Sequence, residues 1–164
     1  MVTSEIQILL SQHTFIRNRL LQLLKDIEDS GKEKDALHFQ ISLGTSKRAH
    51  IGWQMLHIAA TFDRYTHFRI QEKEVLDAKL VENYVFGSKP NPNLLTSSEE
   101  IRSKLSEMTT LYYDFFSKLN LETLDVPPHP RFDRTYKDIL FLMNWHEAEH
   151  TGQCQLIWNA FKAL

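Results

Sequence analysis

The chain has 164 residues, of which 42% are hydrophobic and 24% charged, and its formal net charge is −2 at pH 7. These values are ordinary for a globular protein, and a nearly balanced charge without a basic run disfavours nucleic acid or an anionic membrane as a partner. A chain of this length is most simply one domain, residues 1–164.

The cysteine content and the termini bear on the compartment. Cys154 is the single cysteine, which excludes an internal disulfide and fits a reducing environment. The N-terminal stretch lacks the basic start and apolar core of a signal peptide, and no apolar run approaches the roughly 20 residues that span a bilayer. The sequence therefore predicts a soluble cytoplasmic protein.

Four segments have the apolar spacing of amphipathic helices. The first covers about residues 4–29, and Gly31 follows it where a left-handed cap is expected. The second covers about residues 46–74. The third begins at Thr96 or Ser97, each of which precedes a glutamate by three residues, as in a capping box.

The fourth segment begins near Thr135 and continues to about residue 162. No convincing strand pattern interrupts these helices, so the sequence predicts an all-α four-helix bundle. The link between the second and third helices has about 20 residues and includes residues 86–93, which is long for an antiparallel hairpin. We expect it to cross along the bundle and to shape a pocket at one end.

The segment 145–153 near the C-terminus is the most informative part of the chain. His146 and His150 are one helical turn apart and project from the same face. That face is otherwise apolar, so both imidazoles are expected to point into the core, where a metal ion would satisfy both. The stripe consists of Ile139, Leu142, Met143, His146, His150, Ile157 and Phe161.

Catalytic zinc usually has three protein ligands and one open position. His57, within an apolar stretch of the second helix, is the best candidate for the third ligand. His50, one heptad earlier, is expected on the same side of that helix as an alternative ligand or an outer-shell partner, and His13 is a weaker candidate. Cys154 lies one turn beyond His150 and could reach the site, although packing is the simpler role for a small buried thiol.

Residues 146–150 also satisfy the H-E-x-x-H pattern of zinc peptidases, in which the glutamate is the general base. The extended form of that motif requires glycine and histidine where this chain has Gln153 and Leu156. No acidic residue follows His150 as a third ligand, and no edge strand is predicted to hold a peptide. The sequence therefore disfavours a peptidase.

Four residues beside the histidine pair have open roles. Glu147 and Glu149 fall on the two flanks of the ligand face, where a solvated helix edge is favoured and a hydrogen bond to a ligand imidazole is the alternative. Gln153 is a candidate for an outer-shell or substrate contact. Gly152, which is costly inside a helix, is expected to admit a neighbouring helix or a dimer partner.

These features together resemble the DinB/YfiT-like superfamily of four-helix-bundle metalloproteins. The resemblance rests on His57 in an apolar second helix, the long second link, the Pro-rich turn at 126–130, and the ending His146-x-x-x-His150-x-Gly-Gln. It implies an up-down-down-up bundle, frequent homodimers, and zinc or nickel held by His57, His146 and His150. Characterised relatives include S-transferases and isomerases that use bacillithiol, mycothiol or glutathione.

Two functions from different classes follow. The first is a metal-dependent enzyme, a thiol S-transferase or hydrolase that acts on a small molecule. The second is a non-catalytic metal- or ligand-binding protein of the stress response, which a fourth protein ligand such as Cys154 or His50 would favour. We also expect a homodimer formed through large apolar side chains outside the bundle core, namely Trp145, Trp158 and Phe116.

Overall fold

The computed structural model describes residues 4–91 and 93–164. Its helices and strands are α1 (Glu5–Asp29), α2 (Glu33–His38), β1 (Ser42–Leu43), β2 (Ser46–Lys47), α3 (Ile51–Asp63), α4 (Ala78–Tyr84), α5 (Ser98–Phe116) and α6 (Tyr136–Lys162). A π-helical segment, Arg64–Arg69, continues α3, and a 3-10 turn, Leu121–Thr123, follows α5. The first three residues of the N-terminal stretch discussed above, and Pro92 in the long link, lie outside the described residues.

The four long helices α1, α3, α5 and α6 form a bundle, which confirms the predicted all-α fold. Helix α6 runs parallel to α1, whereas α5 is antiparallel to α1 and α3 is antiparallel to α6. The order is therefore up-down-down-up, and the long link must cross the bundle because α3 and α5 point the same way. The contacts that give these directions join Leu9 to Asn144, Arg17 to Glu147, Leu10 to Tyr113, Glu28 to Arg102, Gln54 to His150 and His57 to His146.

The helix ends follow local sequence signals. Thr135 caps α6 and forms a reciprocal capping box with Asp138. Ser97, one of the two predicted starts, caps α5 by accepting a hydrogen bond from the backbone N–H of Glu100. Gly31 follows α1 with a φ of 68°, the left-handed conformation that the sequence predicts.

The predicted second helix, 46–74, has the wrong bounds. Residues 42–47 form a short antiparallel hairpin instead, and α3 begins only at Ile51. Beyond Asp63, the helix continues only through the π-helical segment Arg64–Arg69. The chain then turns back, and the carboxylate of Asp63 accepts hydrogen bonds from the backbone N–H groups of Leu76 and Asp77. These side-chain contacts hold the chain in a turn that apolar spacing alone does not reveal.

The bundle surrounds one cluster of buried apolar side chains to which all four long helices contribute. Phe116 is fully buried and Trp158 is 5% exposed, so the prediction that these two lie outside the bundle core is wrong. Both fill space between helices of the same chain. Trp145 is 60% exposed, as predicted. In the described part of the chain, no helix combines the length and apolarity that membrane crossing requires.

Candidate metal centre

The structure brings together the three histidines that the sequence selects. His57 comes from α3, and His146 and His150 lie one turn apart on α6. The two helices pack against each other, and their histidines meet at the interface between them. One ligand nitrogen from each ring lies within 4.8 Å of the others, and the Nε2 atoms of His57 and His146 are 3.1 Å apart.

Hydrogen bonds from neighbouring groups fix the orientation of two rings. Nδ1 of His57 donates to the backbone carbonyl of Tyr84, at the end of α4. Nδ1 of His150 donates to Oε1 of Gln54 over 2.9 Å, and the amide nitrogen of Gln54 donates to the carbonyl of Ala49 over 3.1 Å. With a proton on each Nδ1, both Nε2 atoms keep a lone pair for coordination.

Burial favours the neutral form of all three imidazoles. Desolvation, together with the charges of the neighbouring histidines, lowers the pKa of His146 to about 3 and that of His150 to about 4. Burial also lowers the pKa of His57, partly opposed by the hydrogen bond to Tyr84. Neutral imidazole is the form that binds a metal, so these rings are ready to coordinate near neutral pH.

The hydrogen bonding of the His146 ring indicates whether a metal fits this site. Its Nδ1 is buried and has no hydrogen-bond partner among the residues that the structure describes. Its Nε2 faces the unprotonated Nε2 of His57, an arrangement in which two lone pairs would repel unless a proton or a cation lies between them. A divalent cation would satisfy such a set of nitrogens, and imidazole ligands suit zinc or nickel. The residues present therefore fit a metal ion.

The other predicted ligands lie elsewhere. His50 is the N-cap of α3 rather than part of its inner face; its Nδ1 lies 3.1 Å from the backbone nitrogen of Trp53 and 3.0 Å from the carbonyl of Leu37, and it can serve only one of them at a time. Cys154 is fully buried, and burial raises the pKa of its thiol. Neither belongs to the three-histidine cluster. The histidines of loops and helix ends bind carbonyl groups or Asp63: His38, His67 and His129.

Glu147 is not on a solvated edge, and it does not hydrogen-bond to a ligand imidazole, so both roles considered for it are wrong. Its carboxylate is fully buried and accepts hydrogen bonds from Nε and Nη2 of Arg17 and from Nε2 of His13, the last over 2.8 Å. Burial favours its neutral form, but the charge and hydrogen bonds of Arg17, with the hydrogen bond of His13, prevail and hold its pKa at about 2. An anion engaged in this way is not available as a general base at the histidine cluster, which removes the peptidase role.

The buried role of Arg17 was not predicted from the sequence. Arg17 is 5% exposed and also donates through Nη1 to the carbonyl of Leu105, thereby linking α1, α5 and α6. Helical spacing does indicate that Arg17 is buried, because Arg17 continues the apolar face of α1 between Leu10 and Leu20. His13 belongs to the same face and to the same buried ion-pair network, not to the metal centre.

The remaining residues of the motif point outward. Glu149 is exposed, and Nε2 of Gln153 donates to its Oε1 over 3.2 Å. Among the described residues, no hydrogen bond joins Gln153 to the three histidines, and Gln153 lines a neighbouring cavity. A Cβ placed on Gly152 would meet nothing within 4 Å, so no helix of the described chain packs against it.

A family model matches most of the chain. The family model described as the DinB superfamily matches residues 12–154. The chain belongs to the DinB superfamily. The matched region contains all three clustered histidines and most of the bundle. A search of curated proteins and a search of solved structures found no match.

Gln54 gives a test of the histidine geometry. Replacing Gln54 with leucine removes the acceptor that orients His150, and we expect the affinity for zinc to fall about 10- to 100-fold. Competition with a chromophoric chelator measures this. Gln71→Leu is the matched control, since Gln71 is half-buried and also donates to a backbone carbonyl, that of Thr66. Equal affinities for the two variants would contradict the orienting role of Gln54.

Proposed function

We propose that this chain is a metal-dependent enzyme that acts on a small molecule, as a thiol S-transferase or a hydrolase. The observation that carries the proposal is the convergence of His57, His146 and His150, neutral and partly shielded from water. Three neutral ligands leave a divalent ion its full charge, and zinc or nickel suits imidazole nitrogens. Relatives described for the superfamily use low-molecular-weight thiols, which makes S-transfer the first reaction to test.

The ligand count supports an enzyme over a structural site. Structural zinc sites usually close four positions with protein ligands, whereas catalytic sites leave one position open. Within residues 4–91 and 93–164, the group able to hold an ion contains three histidines and neither Cys154 nor His50. An open position for an exogenous ligand is therefore part of the proposal.

In the proposed reaction, the metal ion would activate the nucleophile, and the chain would orient the ligands of the ion. A bound divalent ion would lower the pKa of a thiol or a water molecule and so supply a nucleophile at neutral pH. The chain holds the ligand rings in one tautomer through Tyr84 and Gln54, and Trp53 stacks on His57 with ring centroids 4.8 Å apart. In S-transfer, the thiol sulfur forms a bond to the electrophilic carbon, the bond from that carbon to the leaving group breaks, and the thiol proton passes to solvent.

Metal analysis of protein purified without a histidine tag is the first experiment, and about one divalent ion per chain is expected. Thiol consumption is then measured with 1-chloro-2,4-dinitrobenzene and a panel of thiols, comparing the metal-loaded protein with the chelated protein. Faster consumption by the loaded protein supports the transferase. For the hydrolase, release of alcohol from small esters replaces thiol consumption.

The outcomes separate the proposal from its alternative. Stoichiometric metal with no turnover of any thiol or ester above the chelated protein would favour a non-catalytic metal-binding protein. Failure to bind zinc or nickel after equilibration would contradict both.

We also propose that the chain forms a homodimer through the outer face of α6. Phe141 and Trp145 are 51% and 60% exposed, and with Gly152 they follow helical spacing along that face. Exposed apolar side chains arranged in a stripe are typical of helix–helix interfaces, and Gly152 would allow close approach across a two-fold axis.

Light scattering at micromolar concentration tests the dimer. The native chain is expected to have the mass of two chains, and Trp145→Asp is expected to shift it toward one because a charge enters the apolar interface. Leu121→Asp is the matched control, since Leu121 is 53% exposed in the turn after α5. A native mass of one chain that does not change on concentration would reject the dimer.

A further inference from the structure

A cavity of about 230 Å³ lies beside the histidine cluster. Gln54 connects the two, because it lines the cavity and accepts the hydrogen bond from Nδ1 of His150. Gln153, one turn after His150 on α6, lines the cavity as well. A molecule in this cavity would therefore be separated from His150 by Gln54, on the Nδ1 side of the ring rather than at the coordinating Nε2. The volume is below the range of about 300–1,000 Å³ of drug-sized pockets, so the occupant is small.

The wall of the cavity is apolar except for two glutamine amides and one cation. Ile41, Leu156 and Ile157 supply the apolar surface, and Arg48 supplies the positive charge. Arg48 is exposed, and no carboxylate of the described residues lies within ion-pair distance of it. Its guanidinium is thus free to form a bidentate contact with an anion.

The hairpin of β1 and β2 sets the position of Arg48. The register pairs Ser42 with Lys47, and the ladder continues outward because the backbone nitrogen of Arg48 donates to the carbonyl of Ile41 over 2.9 Å. Residues directly opposite each other in an antiparallel pair project from the same face, so Ile41 and Arg48 reach the cavity together. The amide of Gln40 also donates to the carbonyl of Arg48 over 3.1 Å. A segment outside the four-helix core therefore supplies the cationic wall and, through Ile41, part of the apolar wall.

We propose that this cavity binds a small molecule with an apolar body and an anionic group, and that Arg48 selects for the negative charge. Resting on the proposed function, the molecule is the thiol or the other substrate of the metal-dependent reaction, held at Arg48 by its anionic end. The hairpin is then the specificity element, and the bundle supplies the reactive centre.

Isothermal titration calorimetry with two matched probes tests the selection for charge. The zinc-loaded protein is titrated with 6-mercaptohexanoate and with neutral 6-mercaptohexanol. We expect the carboxylate to bind about three- to tenfold more tightly, a modest factor because Arg48 is exposed to solvent. Arg48→Gln should bring the ratio close to one, whereas Arg48→Lys should keep part of it. Arg19→Gln, which removes an exposed positive charge on α1, should leave the ratio unchanged.

The same comparison on metal-free protein, with hexanoate and hexanamide, separates this inference from the proposed function. A preference for hexanoate that disappears in Arg48→Gln supports the anion site whether or not the metal-loaded protein is an enzyme. A ratio near one in the native chain, or one that Arg48→Gln leaves unchanged, would overturn the inference while leaving metal binding by the histidines intact.

Discussion

Replacing His146 with alanine is expected to abolish tight metal binding while the helical bundle stays folded. The substitution removes the ring whose Nε2 lies 3.1 Å from that of His57, and it leaves only two imidazoles for the ion. The loss of affinity should exceed the roughly 10- to 100-fold that a change in an outer hydrogen bond produces, because a direct ligand is lost. Zinc affinity by chelator competition, and helicity by circular dichroism of the same sample, measure the two effects.

The bundle should survive because the truncated ring is only half-buried and the four long helices keep their apolar contacts. His129→Ala is the matched control, since His129 is also half-buried and bonds to a backbone carbonyl, that of Arg69, in a loop. It should retain native zinc affinity. Unchanged zinc affinity in His146→Ala would contradict the metal centre, and loss of helical circular dichroism at room temperature would show that the metal is structural.

The four-helix bundle and the histidine cluster were accessible from sequence because their signals are local and periodic. His146 and His150 are one turn apart in an apolar stripe, and Thr135 and Ser97 mark helix starts by short-range capping. His57 was reachable because its neighbours are continuously apolar, which predicts burial. Periodicity identifies which residues face inward, and that was sufficient for these residues.

Features that depend on contacts between side chains far apart in the sequence could not be predicted from local patterns. Arg17 and Glu147 are 130 positions apart in the sequence, and neither one alone shows that a buried partner exists. Spacing placed His50 on the inner face of the second helix, but the chain turns into a hairpin before it and leaves His50 as a cap. Phe116 was predicted to lie outside the bundle core, but it follows Tyr112 by four residues and so belongs to the buried face of α5.

Replacing Glu147 with alanine is expected to reduce the free energy of unfolding by about 3–5 kcal/mol, the usual effect of removing one partner from a buried ion pair. Arg17, which is 5% exposed, would keep its charge with no carboxylate to neutralise it, and His13 would lose its buried acceptor. Urea denaturation of metal-free protein measures the change, because bound metal would stabilise the folded state and mask part of the loss.

Glu149→Ala is the matched control for this prediction, since Glu149 lies two residues away on the same helix and is exposed. Its effect should stay within about 0.5 kcal/mol, as for most surface substitutions. A double variant, Arg17→Met with Glu147→Leu, should recover part of the stability lost by Glu147→Ala, because no buried charge is then left unpaired. Equal stabilities of Glu147→Ala and Glu149→Ala would contradict the buried ion pair. A double variant no more stable than Glu147→Ala would contradict the expected recovery.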